Sequence, residues 1–173
     1  MTDLEFLFAR KQDWPALIEL AAAEPEFGYD AKQFLYLLSL YGNSTRIARA
    51  ESLPVAGLWM MNPVVQPGTG WLEFVVVASA LKGRGLGRAM LDDFEQRCAE
   101  WGYARIGLAV DQDNDIARRL YHAEGWELAA DNGARIGMTK TVTPGSTSSL
   151  PPKARGRFAA SVSRWTYRIR HGA

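Results

Sequence analysis

The fold is decided by one glycine-rich stretch of the chain, Leu81-Lys82-Gly83-Arg84-Gly85-Leu86-Gly87-Arg88. The residues before it, 74–77, read Phe-Val-Val-Val and predict a buried strand. Those after it place apolar side chains at the spacing of one helix face, namely Met90, Leu91, Phe94, Cys98 and Trp101. Glycines at a helix N-terminus leave backbone N–H groups open, and three cationic side chains add charge. The stretch therefore predicts a phosphate-binding turn between a strand and a helix.

Two common phosphate-binding loops do not fit the spacing. A Walker loop needs Gly, four residues and then Gly-Lys-Ser/Thr, which the chain lacks. The dinucleotide fingerprint needs Gly-x-Gly-x-x-Gly. Counted from Gly83 the chain gives Gly-x-Gly-x-Gly-Arg, and counted from Gly85 it gives Gly-x-Gly-x-x-Met. Both classes of nucleotide site are excluded on this ground.

The spacing Lys82-x-x-Gly85-x-Gly87 resembles the acyl-CoA pyrophosphate loop of the GNAT N-acetyltransferase superfamily, written Arg/Gln-x-x-Gly-x-Gly/Ala. Lys82 departs from the usual first residue but keeps a positive charge. A second stretch, residues 113–126, is similar to another motif of the same family. Its matching positions are Asn114, Ala117, Leu120, Tyr121 and Gly125, with Trp126 in place of the usual Phe. The resemblance covers about residues 4–143, with element ends uncertain by about two to four residues.

Hydrophobic periodicity and turn residues predict the order β-α-α-β-β-β-α-β-α-β-β. This order is typical of an α/β class with a mixed, mostly antiparallel seven-stranded sheet and helices on both faces, as in the GNAT fold. The first two helices are expected to be capped by Asp13 and Asp30, and the second to end at Gly42-Asn43. The predicted strands are 4–10, 46–50 (half-buried), 55–61, 71–77, 106–110, a strand opening at 125–128, and 136–142; the last two helices are the one after the loop and 116–124.

The resemblance implies how coenzyme A is held. Backbone amides of the loop would bind its pyrophosphate, a set formed by Lys82, Gly83, Arg84, Gly85, Leu86, Gly87 and Arg88. Backbone groups of Val75, Val76 and Val77 would pair with the pantetheine amides, where the fourth strand separates from the fifth. Asn114 and Ala117 would also contact the coenzyme. Asn114 has an equally good interpretation as a helix cap.

Tyr121 matches the family tyrosine that protonates the departing thiol. A phenol with an ordinary pKa of ~10 is protonated at neutral pH, as this role requires. The alternative is that Tyr121 only packs beside Leu120. Glu73 is the candidate general base, with its side chain on the face of Val75 and Val77. The alternatives are an exposed sheet-edge carboxylate, or deprotonation of the amine through water.

Several other polar and aromatic residues have both a functional and a structural interpretation. Asp111 and Asp113 either attract a cationic amine or belong to a turn, and His122 is expected in solvent. The resemblance places four aromatic residues at the acceptor cleft, although packing explains each of them singly: Trp59, Trp71, Phe27 and Tyr29. Cys98 is expected to be a buried apolar residue.

Composition predicts one folded domain, 1–143, a Pro/Ser/Gly linker, 144–152, and a basic tail, 153–173. The tail holds six of the twenty basic residues and no acidic ones, so the rest has fourteen basic and nineteen acidic residues. By that count the body carries about −5 and the tail about +6. Basic residues interleaved with aromatics fit nucleic acid or a membrane surface, but we expect a disordered tail or one docked on the domain or a partner. Neither a transmembrane helix nor a secretory signal is indicated, and one cysteine suits the cytoplasm.

The leading hypothesis is an N-acetyltransferase that moves an acetyl group from acetyl-CoA, its co-substrate, to a primary amine of a small molecule or protein. Tyr121 would be the acid and no metal is required. A homodimer is compatible with the family. The competing hypotheses are a non-catalytic acyl-CoA sensor and an anion-binding module that uses the tail.

Overall fold

The computed structural model describes residues 4–24, 27–50, 53–66 and 68–145. Most of the predicted linker and the whole basic tail therefore lie outside the described residues, and the domain boundaries stay a prediction. Within the described ranges the chain forms seven strands and four helices. They are β1 (Glu5–Phe8), α1 (Trp14–Ala23), α2 (Ala31–Tyr41), β2 (Thr45–Ala50), β3 (Leu53–Asn62), β4 (Thr69–Val77), α3 (Leu86–Glu100), β5 (Arg105–Asp111), α4 (Asp115–Ala123), β6 (Glu127–Asp131) and β7 (Arg135–Thr141).

The strands form one sheet in the order β1-β2-β3-β4-β5-β7-β6. Neighbouring strands are antiparallel except β4 and β5, which are parallel. This confirms the predicted mixed sheet. Helices α3 and α4 pack on one face and α1 and α2 on the other, so the buried residues divide into two clusters. We call these the α3–α4 face and the α1–α2 face. No helix among the described residues is long and apolar enough to cross a membrane.

Of the two predicted helix caps, the one at Asp30 is confirmed and the one at Asp13 is wrong. Asp30 accepts a hydrogen bond from the Gln33 amide at 2.8 Å, and its own amide donates to the Gln33 side chain, which confirms the predicted cap of α2. Asp13 precedes α1 as expected but does not cap it. Its carboxylate accepts from the Arg10 amide and pairs with Arg49 instead. Gly42 ends α2 with a right-handed φ of −58° and continues into a short 3-10 turn.

The expected half-buried alternation of β2 is wrong. Residues 45–48 are all buried, because β2 lies between β1 and β3 with apolar residues on both sheet faces. Arg46 is the charged member of this run. Its guanidinium donates to both oxygens of Asp93 on α3, at 2.7 and 2.8 Å, and Trp59 Nε1 donates to the same carboxylate at 2.8 Å. A buried charge requires such a partner, and this one fixes α3 onto the sheet.

Candidate functional site

Strands β4 and β5 separate halfway along their length. Their pairing runs from Thr69↔Arg105 to Leu72↔Leu108 and stops there, although β4 continues to Val77 and β5 to Asp111. On its other side β4 stays paired with β3 as far as Gly57↔Val77. Among the described strands, none pairs with residues 75–77 on the side of β5. This stretch of β4 is therefore an open edge inside the sheet, where an extended amide-containing ligand can add its own hydrogen bonds.

A bulge in β4 determines the sheet face on which the Glu73 side chain lies. Met60 pairs with Phe74 and Met61 with Leu72, so Glu73 is an extra residue with no partner in β3. The predicted parity of Glu73 with Val75 and Val77 is therefore wrong. The extra residue turns its side chain toward the α1–α2 face, whereas the two valines pack on the α3–α4 face.

The Glu73 carboxylate is held by two side chains and is only partly exposed. Asn62 Nδ2 donates to Oε2 at 3.1 Å, and the Tyr29 hydroxyl lies 3.5 Å from Oε1. Asn62 itself is 1% exposed, and its side-chain oxygen accepts from the Val64 amide. Because the Glu73 side chain is only partly exposed and bonded to buried Asn62, the alternative of an exposed sheet-edge carboxylate is wrong.

Tyr29 joins this carboxylate to a cluster of aromatic residues on the α1–α2 face. The rings of Phe27, Tyr29 and Phe74 lie 4.8–5.9 Å from one another, and Phe34 joins the cluster. Trp59, by contrast, is fully buried in the core on the α3–α4 side and cannot line a cleft. Trp71 covers Gly107 on β5, where a Cβ would meet its ring at 2.9 Å.

The glycine-rich loop has the predicted form. Gly83 and Gly85 have φ values of 72° and 84°, which L-residues rarely adopt, and a Cβ at either would meet nothing within 4 Å. Their glycine identity therefore serves backbone conformation and not space. The α3 helix follows at Leu86, and its first hydrogen bond runs from the Ala89 amide to the Gly85 carbonyl. The preceding amides have no intrahelical partner and can bind an anion.

The three cations of the loop differ in availability, which the sequence did not predict. Lys82 pairs with Glu24 at 2.6 Å and Arg88 with Glu124 at 2.5 Å. Arg84 is exposed and has no ion-pair partner within the described ranges. Sequence reasoning placed all three toward the phosphate and overlooked Glu24, because nothing local distinguishes a buried acid at the end of a helix.

Glu24 follows the last residue of α1 and is buried. It accepts from the Ser79 amide at 2.7 Å, from Ser79 Oγ at 2.8 Å and from Lys82 Nζ. Burial alone raises the pKa of Glu24, but the hydrogen bonds from Lys82 and Ser79 outweigh it and bring the pKa below its usual value. The carboxylate is therefore ionised at neutral pH.

Helix α4 holds the second motif. Asn114 caps it by accepting from the Ala117 amide at 3.1 Å, which confirms the capping interpretation; the coenzyme contacts of Asn114 and Ala117 stay predictions. Tyr121 is 7% exposed and its ring lies 5.9 Å from that of Trp126. Burial raises the pKa of its hydroxyl to about 12, while Arg135 acts in the opposite direction. His122 is exposed, as expected.

The remaining predicted residues lie as follows. Asp111 pairs with Arg135 at 3.1 Å across β5 and β7, and Asp113 is exposed in the turn before α4. Cys98 is fully buried, and burial raises its pKa well above the usual value, which confirms the expected apolar role. The structure thus brings together Glu73, Tyr29 and Asn62 on one sheet face. The loop and Tyr121 are linked on the other, where Leu120 lies 3.5 Å from the Cβ position of Gly87.

Comparison with known proteins identifies a family. A model described as the acetyltransferase (GNAT) family matches residues 14–126. The sequence matches none of the curated proteins with which it was compared.

Solved structures share the fold. The ribosomal-protein-S18-alanine N-acetyltransferase from Escherichia coli has a TM-score of 0.70 at 18% identity, covering 86% of this chain and 100% of that one. Ard1 from Thermoplasma volcanium has 0.69 at 20%, with 80% and 97% covered. The PaiA N-acetyltransferase from Thermoplasma acidophilum, in complex with coenzyme A, has 0.68 at 16%, with 80% and 99% covered. At these identities the likeness shows the fold alone.

Proposed function

This chain belongs to the acetyltransferase (GNAT) family, and from that premise we propose that it acetylates a primary amine by direct attack on acetyl-CoA, with Tyr121 as general acid and Glu73 as general base. Family membership makes it an acetyl-CoA-dependent N-acetyltransferase. The acceptor amine, carried by a small molecule or a protein, and the roles of the two residues are the parts proposed.

The separation of β4 from β5 carries the proposal. It opens an unpaired strand edge at residues 75–77, and the chain runs from that edge directly into the glycine-rich loop. A ligand with a diphosphate at one end and an amide-containing arm at the other fits both features at once. Coenzyme A has these parts, and it supplies the thioester carbonyl that the amine attacks.

The two catalytic side chains approach from opposite faces of the sheet. Glu73 lies with the α1–α2 elements and Tyr121 with α3 and α4. The gap between β4 and β5 is where both faces meet. An amine arriving on the Glu73 side would lose its proton to the carboxylate and form the new C–N bond. On the far side, the Tyr121 hydroxyl would give its proton to the sulfur as the C–S bond breaks.

Burial suits Tyr121 to this role in one respect. With a pKa of about 12 the phenol keeps its proton at every pH used in an assay. No described residue hydrogen-bonds the hydroxyl, so the proton is not committed elsewhere in that part of the chain.

The test is thiol release from acetyl-CoA with a panel of amines, comparing the wild type with Tyr121→Phe. A general acid contributes about 10²–10⁴-fold, so the variant should lose at least about a hundredfold in kcat. Its affinity for coenzyme A, measured by calorimetry, should change less than about twofold.

Tyr103→Phe is the matched control, because Tyr103 is a partly buried tyrosine that packs against the same cluster as Tyr121 but lies at the opposite end of β5. Full activity of Tyr121→Phe would refute the acid assignment. Absence of heat when coenzyme A is added to the wild type would refute the proposed function itself.

A further inference from the structure

Glu24 has an unusual position for a carboxylate. It lies at the end of α1, yet its side chain is 3% exposed and reaches the turn that follows β4, more than fifty residues further along the chain. Its three donors lie within 2.6–2.8 Å. Burying a carboxylate is costly unless hydrogen bonds and an opposite charge compensate. Ser79 and Lys82 provide this compensation.

The two residues that supply these donors lie at either end of one short segment. Ser79 begins the 3-10 turn Ser79–Leu81, Lys82 follows the turn directly, and Gly83 and Gly85 come next. The glycines restrain the loop little, because each populates many backbone conformations and no described atom lies near their Cβ positions. The conformation of the loop therefore depends on how its two ends are held. Leu86, 3% exposed in the α3–α4 cluster, holds one end, and Glu24 holds the other.

We propose that Glu24 is a positioning residue for the donor substrate: its carboxylate fixes Ser79 and Lys82 so that the loop amides converge on the coenzyme diphosphate. This rests on the proposed function. In this role Lys82 contributes through its bond to Glu24 and not by contacting phosphate, and the cationic side chain offered to the coenzyme is that of Arg84, for which the described part of the chain holds no ion-pair partner. Preorganised amides bind an anion without the entropic cost of ordering the loop.

The opposite arrangement makes the opposite prediction. If Glu24 merely occupies Lys82 until the coenzyme arrives, the carboxylate competes with the diphosphate for the ammonium group. Removing its charge would then free Lys82 and tighten binding. The sign of the change in affinity therefore separates positioning from competition.

The experiment measures acetyl-CoA affinity by calorimetry, and KM and kcat by thiol release, for Glu24→Gln, Lys82→Gln and the double variant. Glu24→Gln keeps the size and the acceptor oxygen but removes the charge. We expect each single variant to raise Kd and KM about tenfold. The kcat at saturating acetyl-CoA should stay within about twofold of the wild-type value. The Kd of the double variant should be no higher than that of the single variant that binds more weakly.

Glu19→Gln is the control, since Glu19 is an exposed acid on the same helix; its affinity should equal that of the wild type. Ser79→Ala, which removes only the Oγ hydrogen bond, provides a second variant should Glu24→Gln fold poorly, and it should weaken binding in the same direction.

Unchanged or tighter binding by Glu24→Gln, or by Ser79→Ala if that replaces it, would overturn the proposal. Additive losses in the double variant would do the same, because they would show that Lys82 contacts the coenzyme itself. Failure of the wild type to bind acetyl-CoA would instead refute the proposed function, so the two failures are distinguishable.

Discussion

Asn62 donates a hydrogen bond to Glu73 at 3.1 Å from a position that is almost completely buried, so the candidate base is held by a rigid partner. A carboxylate that removes a proton from a cationic amine matters only while the amine is protonated.

We therefore expect Glu73→Gln to lower kcat/KM by about tenfold to a hundredfold near neutral pH, with the loss shrinking as pH rises toward the amine pKa. The measurement is kcat/KM from pH 6 to 10 with one identified amine. Glu127→Gln, on exposed β6, should match the wild type throughout. An equal loss at every pH would show that Glu73 binds the acceptor without acting as a base, and no loss would favour deprotonation through water.

Arg84 and Arg88 form a natural pair for testing the charge of the loop. Arg84 has no ion-pair partner among the described residues, whereas Arg88 already pairs with Glu124 at the end of α4. Arg84→Gln should weaken acetyl-CoA binding about tenfold and reduce its salt dependence, because it removes a solvent-exposed charge whose attraction to phosphate is screened by salt. Arg88→Gln should weaken it less. Titrations at two salt concentrations check both, and an equal or larger effect of Arg88→Gln would contradict the assignment.

The ion pair between Arg46 and Asp93 makes a prediction about stability. Both side chains are at most 12% exposed, so removing one leaves an uncompensated buried charge. We expect Asp93→Ala to lower the free energy of unfolding by about 3–5 kcal/mol. Asp92→Ala, at the exposed neighbouring position on α3, should change it by less than about 0.5 kcal/mol. Urea denaturation measures both, and similar values for the two variants would show that the pair adds little.

The features that the sequence predicted correctly are local, and those that it did not predict depend on contacts between distant residues. Residues 81–88 specify their own turn and helix start, because glycine conformation and helix periodicity are local. The cap by Asp30 is local in the same way. The direction of Glu73 was wrong because a bulge depends on how β4 pairs with β3, which period-two alternation cannot anticipate.

The sequence also did not predict which distant residues form ion pairs. Lys82 meets an acid 58 residues away and Arg46 one 47 residues away, so only the folded chain shows which charges are already compensated. For the same reason the sequence predicted which residues form the candidate site, but it did not predict which of their charges are already in ion pairs.

The raised pKa of Tyr121 predicts how the stability of the fold changes at alkaline pH. The pKa of its hydroxyl is raised from 10 in the unfolded chain to about 12 in the folded one. A group with a raised folded pKa stabilises fully below its unfolded pKa, and that contribution is lost as pH rises toward the folded value. Above pH 10 the unfolded chain releases this proton while the folded chain retains it, so stability should fall with pH.

Tyr121→Phe cannot release the proton, and its free energy of unfolding should therefore decline less steeply than that of the wild type between pH 9.5 and 11. Urea midpoints measured across this range provide the comparison. Tyr36→Phe should follow the wild-type curve, because Tyr36 on α2 is 45% exposed and is not part of the buried core. Parallel curves for the wild type and Tyr121→Phe would show that burial does not raise the pKa of the phenol above its ordinary value of ~10, and Tyr121 could then serve as an acid at neutral pH but not at strongly alkaline pH.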